Sequence, residues 1–381
     1  MKKNIFLSLI IAVFFCQINT VLAKKAAAVE IDSTKLITVL SPEYCSDING
    51  ETRISFKAPG EKTATVKCWI QDATWGHDSV FTPVKLNRQG IGKFIFRADR
   101  FPHGPLCIRI NAGNDHCYLQ LYNTGGISWN EGIPASPPQA SGMKLVFQDD
   151  FNGPLSISSS GTGTTYRSRH TGGNFSSLPF ADFESPKNPF SQKDSYLRIR
   201  GDVNKGSTGL ISTQYSCSVQ YGYFECRFIA PMVTGSWPAF WGVTSPVEGE
   251  RGGDEIDVIE AYGAAPDLYQ ANWHIWAKEH TAAPKPEDIH MTNIGGKSNW
   301  SATFHTYGVL IKPDSVTYYC DNIKVWQHPT TPYLKKSPFY VMINLAIGGG
   351  GWPYDLRRYN NVADMYVDYV RVFQYPRENE Q

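Results

Sequence analysis

The sequence carries almost no excess charge of either sign. Its formal net charge is +1, and loss of a leader containing Lys2 and Lys3 would change it to −1. Electrostatics therefore give no reason to expect a nucleic-acid or membrane-surface partner. Patterns with the helical period of 3.6 are scarce, internal repeats are absent, and no Cys/His spacing resembles a zinc site. Nothing in the sequence requires an organic cofactor.

Long apolar runs are also missing, apart from one at the N-terminus. The run Ile5–Cys16 follows two lysines and precedes Val21–Ala23, a small-residue cleavage site. This pattern predicts a secretory signal peptide over residues 1–23 and is too short for a membrane span. Phe15 is too bulky for the site that precedes a lipidated cysteine, so we expect a secreted or periplasmic protein and not a lipoprotein.

What the sequence does contain is abundant aromatic and turn residues: 20 Tyr, 20 Phe, 10 Trp, 33 Gly and 24 Pro. Such a composition favours β-rich domains with many turns. Glycines and prolines interrupt any regular pattern over Thr124–Gly142. We therefore predict a small immunoglobulin-like β-sandwich at about 33–125, a linker at 126–142 and a second domain at 143–377.

The function of the N-terminal domain is open at this stage. Exposed Trp69, Trp75 or Trp129 would make it a carbohydrate-binding module. A spacer packed against the second domain is the other interpretation, and we favour it because no clustered aromatic platform is visible.

The cysteines suggest disulfides in this N-terminal domain. Cys45, Cys68, Cys107 and Cys117 could form two bridges in an oxidising compartment. Cys107 and Cys117 flank a predicted hairpin around Asn111–Asp115 and are the best candidate pair. The remaining cysteines resemble small buried apolar residues; they are Cys217, Cys226 and Cys320.

Three carboxylates stand close together in the run Glu255–Glu260, which is otherwise β-branched. Such a strand is normally buried on one face, so three acids in it are costly unless they line a cleft and serve chemistry. In a regular strand Glu255 and Asp257 share a face and Glu260 lies opposite. One β-bulge between Asp257 and Glu260 would bring all three acids to one face. A salt-bridged surface strand is the alternative.

Five other segments read as strands that accompany this run: Leu145–Gly153, Tyr221–Arg227, Gly235–Trp241, Asn344–Gly349 and Met365–Val372. Together with Glu255–Glu260 they resemble glycoside hydrolase family 16 in its bulged, laminarinase-like and agarase-like form. The resemblance spans about 143–377. It implies an all-β fold, a concanavalin/legume-lectin-like β-jelly-roll sandwich with a cleft across one sheet.

The resemblance also implies roles for the acids. Glu255 would be the nucleophile, Glu260 the acid/base, and Asp257 would hydrogen-bond the nucleophile and modulate its charge. The physical logic agrees, because crowded carboxylates raise the pKa of at least one group, which leaves one acid protonated and another ionised.

Side chains near the acids are candidates for sugar binding. Strand alternation places Trp237 and Trp241 on one face, where flat rings would stack on sugars, although core burial is the competing interpretation for each. Asn272 and His274 share a face of the next strand, and the resemblance puts His274 beside the acid/base. Trp352 follows a glycine run, either in a mobile loop over the sugar or in a plain turn.

The substrate is less constrained. The bulged signature and the segment Asn344–Trp352 favour β-1,3- or mixed-linkage β-1,3-1,4-glucan. Tyr354–Arg358 departs from the laminarinase pattern, and Arg357 with Arg358 could recognise sulfate or uronate groups. A β-galactan (agar, porphyran or carrageenan) and a mucin-type O-glycan therefore stay open.

The resemblance implies no required cofactor. Some relatives bind a structural calcium ion partly through an Asp of the last strand, which makes Asp368 a candidate ligand. We predict an exported, endo-acting retaining β-glycan hydrolase that acts on a polysaccharide as a monomer, with no membrane span. A non-catalytic glycan-binding protein and a transglycosylase are alternatives, and the intact acids argue against the former.

Overall fold

The structure is a computed structural model that describes residues 36–69, 79–80, 83–126, 135–170, 172–246, 252–277, 282–296, 299–301, 303–349 and 352–376. The predicted signal peptide, Trp75 and Trp129 lie outside the described residues, as do the side chains of Cys68 and Trp69. Within the part of the chain that the structure describes, no helix has the length and apolar character needed to cross a membrane.

The described residues fold almost entirely into strands. They are β1 (Thr38–Ser41), β2 (Asp47–Ile48), β3 (Glu51–Lys57), β4 (Thr63–Trp69), β5 (Ser79–Val80), β6 (Val84–Lys85), β7 (Ile91–Arg97), β8 (Gly104–Ala112), β9 (Asp115–Asn123), β10 (Lys144–Asp149), β11 (Ile157–Ser158), β12 (Tyr166–Arg167), β13 (Phe190–Lys193), β14 (Tyr196–Asp202), β15 (Gly209–Ser212), β16 (Gly222–Ile229), β17 (Ser236–Thr244), β18 (Gly252–Ala261), β19 (Leu268–Ala277), β20 (Glu287–His290), β21 (His305–Ile311), β22 (Ser315–Cys320), β23 (Ile323–Pro329), β24 (Phe339–Ile347) and β25 (Val362–Gln374). Short 3₁₀ turns cover Ala98–Arg100, Pro138–Ala140, Met291–Asn293 and Arg357–Tyr359.

Strands β10 to β25 build two eight-stranded sheets. One has the order β13-β14-β25-β16-β21-β22-β23, with β10 beside β25, and the other has the order β11-β12-β15-β24-β17-β18-β19-β20. Neighbours in both sheets run antiparallel, except for the parallel pair β11–β12. The sheets pack face to face, which confirms the predicted all-β jelly-roll sandwich.

The core between these sheets follows from strand alternation. Phe240 of β17, Ile256 of β18, Ile343 of β24 and Val370 of β25 are buried to within 1% of full burial and belong to one apolar cluster. Burying each such side chain contributes about 1.5–3 kcal/mol relative to leaving it exposed. The core therefore fixes β17, β18 and β24 as a rigid base for whatever their outer face carries.

Strands β1 to β9 form a separate N-terminal unit with its own core. A three-stranded sheet, β1-β3-β7, and a second sheet, β2-β9-β8-β4-β5 with β6 beside β4, share the buried residues Ile54, Phe96, Ile108 and Leu119. The immunoglobulin-like assignment of this unit stays a prediction.

The hairpin β8–β9 corrects the predicted disulfide. Ala112 lies opposite Asp115, as a hairpin at this place requires, and the register then sets Cys117 opposite Ile110. Cys107 is three positions from Ile110, so it points to the opposite face of the sheet from Cys117. Both thiols are free, as is that of Cys45. The predicted Cys107–Cys117 bridge is wrong.

Strand β9 also contacts the larger sandwich directly. The side-chain amide of Gln120 donates to the Asp364 carbonyl at 3.2 Å, and the Asp364 N–H donates to Gln120 Oε1 at 2.9 Å. The Tyr122 hydroxyl donates to Asp194 Oδ2 at 2.6 Å. These bonds tie the N-terminal unit to β25 and to the β13–β14 turn.

Candidate active site

Strand β18 contains the predicted β-bulge. Asp257 lies opposite Asn272 of β19, and Glu260 lies opposite Gln270, so three steps along β18 match two steps along β19. The pairing with β17 leaves Val258 as the extra residue. The bulge resets the alternation and turns Glu260 to the face that already carries Asp257.

The apolar residues of the same run point the other way. Ile256, Val258 and Ile259 are each at most 1% exposed and belong to the core between the sheets. Their burial fixes which face of β18 points to the core, because a rotation that exposed these residues would also bury the acids. The sequence thus places the carboxylates on the outer face of the β18 sheet.

Glu255 and Asp257 form one side of the site. The Trp276 indole donates its N–H to Glu255 Oε2 at 3.0 Å. His274 Nε2 lies 3.3 Å from Asp257 Oδ2 and 3.9 Å from Glu255 Oε1. Asn272 places its amide nitrogen 3.2 Å from the same ring nitrogen. His274 therefore stands between the two carboxylates.

Glu260 lies against an aromatic wall, which consists of Trp237, Tyr262 and Trp352. The Trp237 indole donates to Glu260 Oε1 at 3.2 Å, and the Tyr262 hydroxyl also hydrogen-bonds Glu260. Tyr262 is sandwiched, because its ring stacks on Trp237 at 5.8 Å and on Trp352 at 5.1 Å between centroids. Flat rings beside a carboxyl suit a sugar whose C–H face is apolar.

The electrostatics of the three acids follow from burial and mutual repulsion. Burial, followed by the negative charge of Asp257, raises the pKa of Glu255 to about 8 and that of Glu260 to about 8. Burial raises the pKa of Asp257 to about 7. His274 opposes the rise for both glutamates. The cluster therefore retains protons near neutral pH, which a site that needs a carboxylic acid donor requires.

These side chains open onto a cleft with about 940 Å³ of empty space, a volume that includes the open solvent at its mouth. Of the residues predicted for the site, it is lined by Glu255, Glu260, Trp237, Asn272, His274 and Trp352. Asp257 is only 3% exposed and contacts His274 beneath this lining. The structure thus brings together most of the predicted site.

At Gly349 the backbone packs directly against Phe175 and Trp237, which leaves no room for a side chain. A Cβ atom on this residue would lie 2.7 Å from the Phe175 carbonyl oxygen and 2.9 Å from Trp237 Cζ3. Any side chain at position 349 would displace the indole that contacts Glu260. The glycine run that precedes Trp352 therefore has a steric reason in the site.

Among the lining residues that the sequence analysis did not predict are Tyr262, Trp276 and Gln270. Each is two positions from a residue that was predicted, namely Glu260, His274 and Asn272. Strand alternation, extended by one step, would have found all three.

Trp241 corrects the predicted substrate site. It shares a face with Trp237, but it is not among the residues that line the cleft, and its ring contacts His170 at 5.4 Å and Phe175 at 5.8 Å. Its indole N–H donates to Asn344 Oδ1 at 2.8 Å. The segment that carries His170 and Phe175 therefore covers Trp241.

The two adjacent arginines have carboxylate partners within the protein. Arg357 Nη2 lies 2.8 Å from Asp355 Oδ2, and Arg358 Nη2 lies 3.1 Å from Asp115 Oδ1. Neither arginine lines the cleft described above. This arrangement gives no support to the interpretation that the pair recognises sulfate or uronate groups.

The candidate calcium ligand is also engaged. Asp368 is buried, and its Oδ2 lies 2.6 Å from Arg227 Nη1. A guanidinium at this distance occupies the place that a cation would take, so the residues here do not fit a calcium site.

Within the described ranges, two groups of three side chains bring their possible metal-ligand atoms within 4.8 Å of one another. One is Glu255, Asp257 and His274 of the cleft. The other is His305, Cys320 and Asp321, where Asp321 accepts the Thr306 N–H at 2.9 Å and lies 2.7 Å from His305 Nδ1. In this second group the carboxylate joins the turn between β22 and β23 to the start of β21.

Comparisons with known proteins find a matching family and several relatives. The sequence model described as glycosyl hydrolases family 16 matches residues 181–371, which is half of the chain. The chain is 32% identical over 200 residues to endo-1,3-1,4-beta-glycanase EglC of Rhizobium meliloti, covering 49% of this chain and 40% of that protein. It is 28% identical over 279 residues to glucan endo-1,3-beta-glucosidase A1 of Niallia circulans, covering 64% and 39%.

A third relative is a keratan-sulfate endo-1,4-beta-galactosidase of Sphingobacterium multivorum, 26% identical over 64% of this chain and 58% of that protein. The chain spans about two fifths of the length of the first two relatives.

Solved structures support the fold. One comes from work on endo-acting O-glycanases that initiate mucin breakdown in the human gut microbiota, with TM-score 0.51, 22% identity and coverage of 64% of this chain and 94% of that chain. Another is a variant of SCLam, a non-specific endo-β-1,3(4)-glucanase, with TM-score 0.50, 24% identity and coverage of 64% and 98%.

Proposed function

The chain belongs to the glycosyl hydrolases of family 16, and on this basis we propose that it is an exported, endo-acting retaining hydrolase of β-1,3- or mixed-linkage β-1,3-1,4-glucan. The observation that carries the proposal is the trio Glu255, Asp257 and Glu260, held on one face of β18 beside an aromatic wall, with raised pKa values. Export through the leader 1–23 and action as a monomer are parts of the same proposal.

In the first chemical step, Glu260 acts as the acid. Its carboxyl proton moves to the glycosidic oxygen, the bond from that oxygen to the anomeric carbon breaks, and Glu255 attacks the anomeric carbon to form a glycosyl ester. The raised pKa of Glu260 keeps the proton available near neutral pH. The hydrogen bond from Trp276 favours the ionised form of Glu255.

In the second step, Glu260 acts as the base. It takes a proton from water, the water oxygen attacks the anomeric carbon, and the bond to Glu255 breaks, so the β-configuration is retained. Asp257 and His274 lie next to Glu255 during this step. When Glu255 becomes a neutral ester, the repulsion between it and Asp257 disappears, which stabilises the intermediate.

Two relatives described as β-glycanase or β-glucosidase enzymes acting on 1,3- or 1,3-1,4-linkages support the choice of substrate. A β-galactan or a mucin-type O-glycan is the second candidate. The relative described as a keratan-sulfate endo-1,4-beta-galactosidase favours it, since the match covers more of that protein than of the two glucan-active relatives.

The test is release of reducing ends from a panel of polysaccharides, with sizing of the products. The panel contains laminarin, barley mixed-linkage glucan, xyloglucan, agarose, porphyran, κ-carrageenan, keratan sulfate and mucin O-glycans. Oligosaccharides of intermediate size from the two glucans support the proposal. Release only from a galactan, keratan sulfate or mucin moves the substrate to the second candidate.

The matched variants are Glu255→Gln and Glu260→Gln, with Glu287→Gln as the control. Glu287 is an exposed glutamate on β20 of the same sheet. Both site variants are expected to lose at least about 10³-fold in kcat while the control keeps full activity. If both site variants hydrolyse glycan as well as the wild type, the mechanism is wrong. A folded wild type that binds glycan without releasing reducing ends would point to a glycan-binding protein.

A further inference from the structure

The segment of residues 352–361, called the bridging segment below, joins the cleft to the N-terminal unit. At its start, Trp352 lines the cleft and stacks on Tyr262 with 5.1 Å between centroids. Six and seven positions later, Arg358 and Tyr359 contact strand β9 of the N-terminal unit. One short stretch of chain therefore touches both parts of the molecule.

The contacts with the N-terminal unit are specific. Arg358 Nη2 lies 3.1 Å from Asp115 Oδ1, and Arg358 Nη1 lies 3.1 Å from His116 Nε2. The ring of Tyr359 stacks on the ring of Tyr118, with 4.8 Å between centroids and 24° between planes. Tyr359 is 1% exposed and Tyr118 is 8% exposed. The N-terminal unit thus supplies part of the environment that buries Tyr359.

The other side of the bridging segment packs on the loop that leads into β17. The Tyr359 hydroxyl hydrogen-bonds the backbone of Met232, and the Asp355 N–H donates to the Thr234 carbonyl at 2.9 Å. Gly235, with φ of +88°, approaches Tyr354 so closely that a Cβ on it would lie 2.3 Å from Tyr354 Cβ. Two residues after Gly235 comes Trp237, which donates to Glu260.

We propose that the N-terminal unit is a positioning element for the cleft. Through Tyr118 and Asp115 it holds the bridging segment, and the bridging segment holds two members of the aromatic wall, Trp352 directly and Trp237 through the Met232–Gly235 loop. Tyr118 and Arg358 are therefore positioning residues for glycan binding, although neither lines the cleft. The step to glycan binding rests on the proposed function.

The physical reason is preorganisation. A loop that must be ordered when the ligand binds lowers affinity by the conformational entropy it loses, and a loop already ordered by packing avoids that loss. Because the chemistry at Glu255 and Glu260 rests on β18, loosening the bridging segment should weaken binding more than it slows catalysis.

The experiment uses the full chain with Tyr118→Ala and Arg358→Ala. Tyr118→Phe is the conservative rescue, since it keeps the ring that stacks on Tyr359. Lys193→Ala is the matched control, because Lys193 Nζ lies 2.5 Å from Asp47 Oδ2 and so also joins the N-terminal unit to the sandwich, at β13. Thermal unfolding shows whether each variant folds. If Tyr118→Ala does not fold, Arg358→Ala still tests the proposal.

Two readouts decide the proposal. Hydrogen exchange at the amides of Trp352, Asp355 and Tyr359, which donate within and next to the bridging segment, should become at least tenfold faster in the two alanine variants and not in Tyr118→Phe or Lys193→Ala. On the glycan that the wild type cleaves, KM should rise about fivefold or more with kcat within twofold.

Unchanged exchange, an equal rise of KM in Lys193→Ala, or a fall in kcat with KM unaltered would overturn the proposal. If the wild type cleaves no glycan in the panel, the proposed function fails, and the exchange comparison alone decides whether the N-terminal unit positions the segment.

Discussion

Trp276 donates its indole N–H to Glu255 Oε2 at 3.0 Å, while its ring stacks on His274 with 5.2 Å between centroids. Burial and the neighbouring Asp257 raise the pKa of Glu255, and the indole N–H lowers it. Trp276 therefore offsets part of the penalty for an ionised carboxylate at the place where the proposed nucleophile must carry charge.

Replacing Trp276 by Phe should lower kcat by between about 10- and 100-fold, since a hydrogen bond to a charged group is worth about 1.5–3 kcal/mol. Loss of the N–H raises the pKa of Glu255, so the acid limb of the pH–rate profile should move to higher pH. Trp241→Phe is the control, because it removes an indole N–H that donates to Asn344 on the same sheet. An unmoved acid limb in Trp276→Phe would contradict the assignment of Glu255 as the nucleophile.

The alkaline limb should respond to Trp237. The Trp237 N–H lowers the pKa of Glu260, so Trp237→Phe, which keeps the ring against Tyr262, raises that pKa. Because the acid must be protonated, activity should persist to higher pH in the variant while the acid limb stays in place. Kinetics between pH 4 and 10 check this, and a shift of the acid limb alone would reverse the roles of Glu255 and Glu260.

Folding stability should depend on pH through the same acids. In the folded chain the pKa of Glu260 is about 8, compared with about 4.3 for an unperturbed glutamate. Between these values the folded state binds more protons than the unfolded state, so the free energy of unfolding falls as the pH rises.

Glu260→Gln removes the contribution of Glu260 to this dependence. The difference in Tm between this variant and the wild type should therefore grow in favour of the variant from pH 5 to pH 8, by roughly 2–4 °C for each kcal/mol. Glu287→Gln, at an exposed position of β20, should track the wild type. A difference that stays constant across this range would show that Glu260 is not protonated in the folded state.

The cysteines give a prediction that does not depend on activity. Because Cys107 and Cys117 are free and face opposite sides of the β8–β9 hairpin, a reducing agent should leave Tm unchanged. A thiol-specific label added to the unreduced, unfolded chain should modify both residues, as peptide mass mapping would show. If neither residue reacted with the label, the predicted Cys107–Cys117 disulfide would be present after all.

The acid site was predictable because it depends only on the alternation of side chains along one strand. Regular alternation along β18 would place Glu260 on the opposite face from Glu255 and Asp257, and a single bulge is the smallest change that brings the three acids to one face. The same rule predicted Asn272 and His274. It also reaches Tyr262 and Trp276, which lie two positions beyond Glu260 and His274.

The errors arose where distant segments decide the outcome. Trp241 has the correct alternation for the cleft, but His170 and Phe175 cover it, and no local pattern reveals such a cover. The disulfide failed for a related reason. The sequence locates the hairpin at Asn111–Asp115, but a change of one residue in the register exchanges the faces of every side chain along it.

Because of the bulge, strands β18 and β19 should differ in how well they tolerate the deletion of one residue. On β19 the partners of Glu255 and Glu260 are His274 and Gln270, four positions apart, an even number. Deleting Val258 would shorten the odd interval on β18 to an even one and keep both glutamates on the cleft side. Deleting one residue between Gln270 and His274 would turn one of them toward the core. A relative of this chain could therefore lack one residue at the bulge of β18 and keep its acids in place, whereas the length of β19 between Gln270 and His274 has to stay constant.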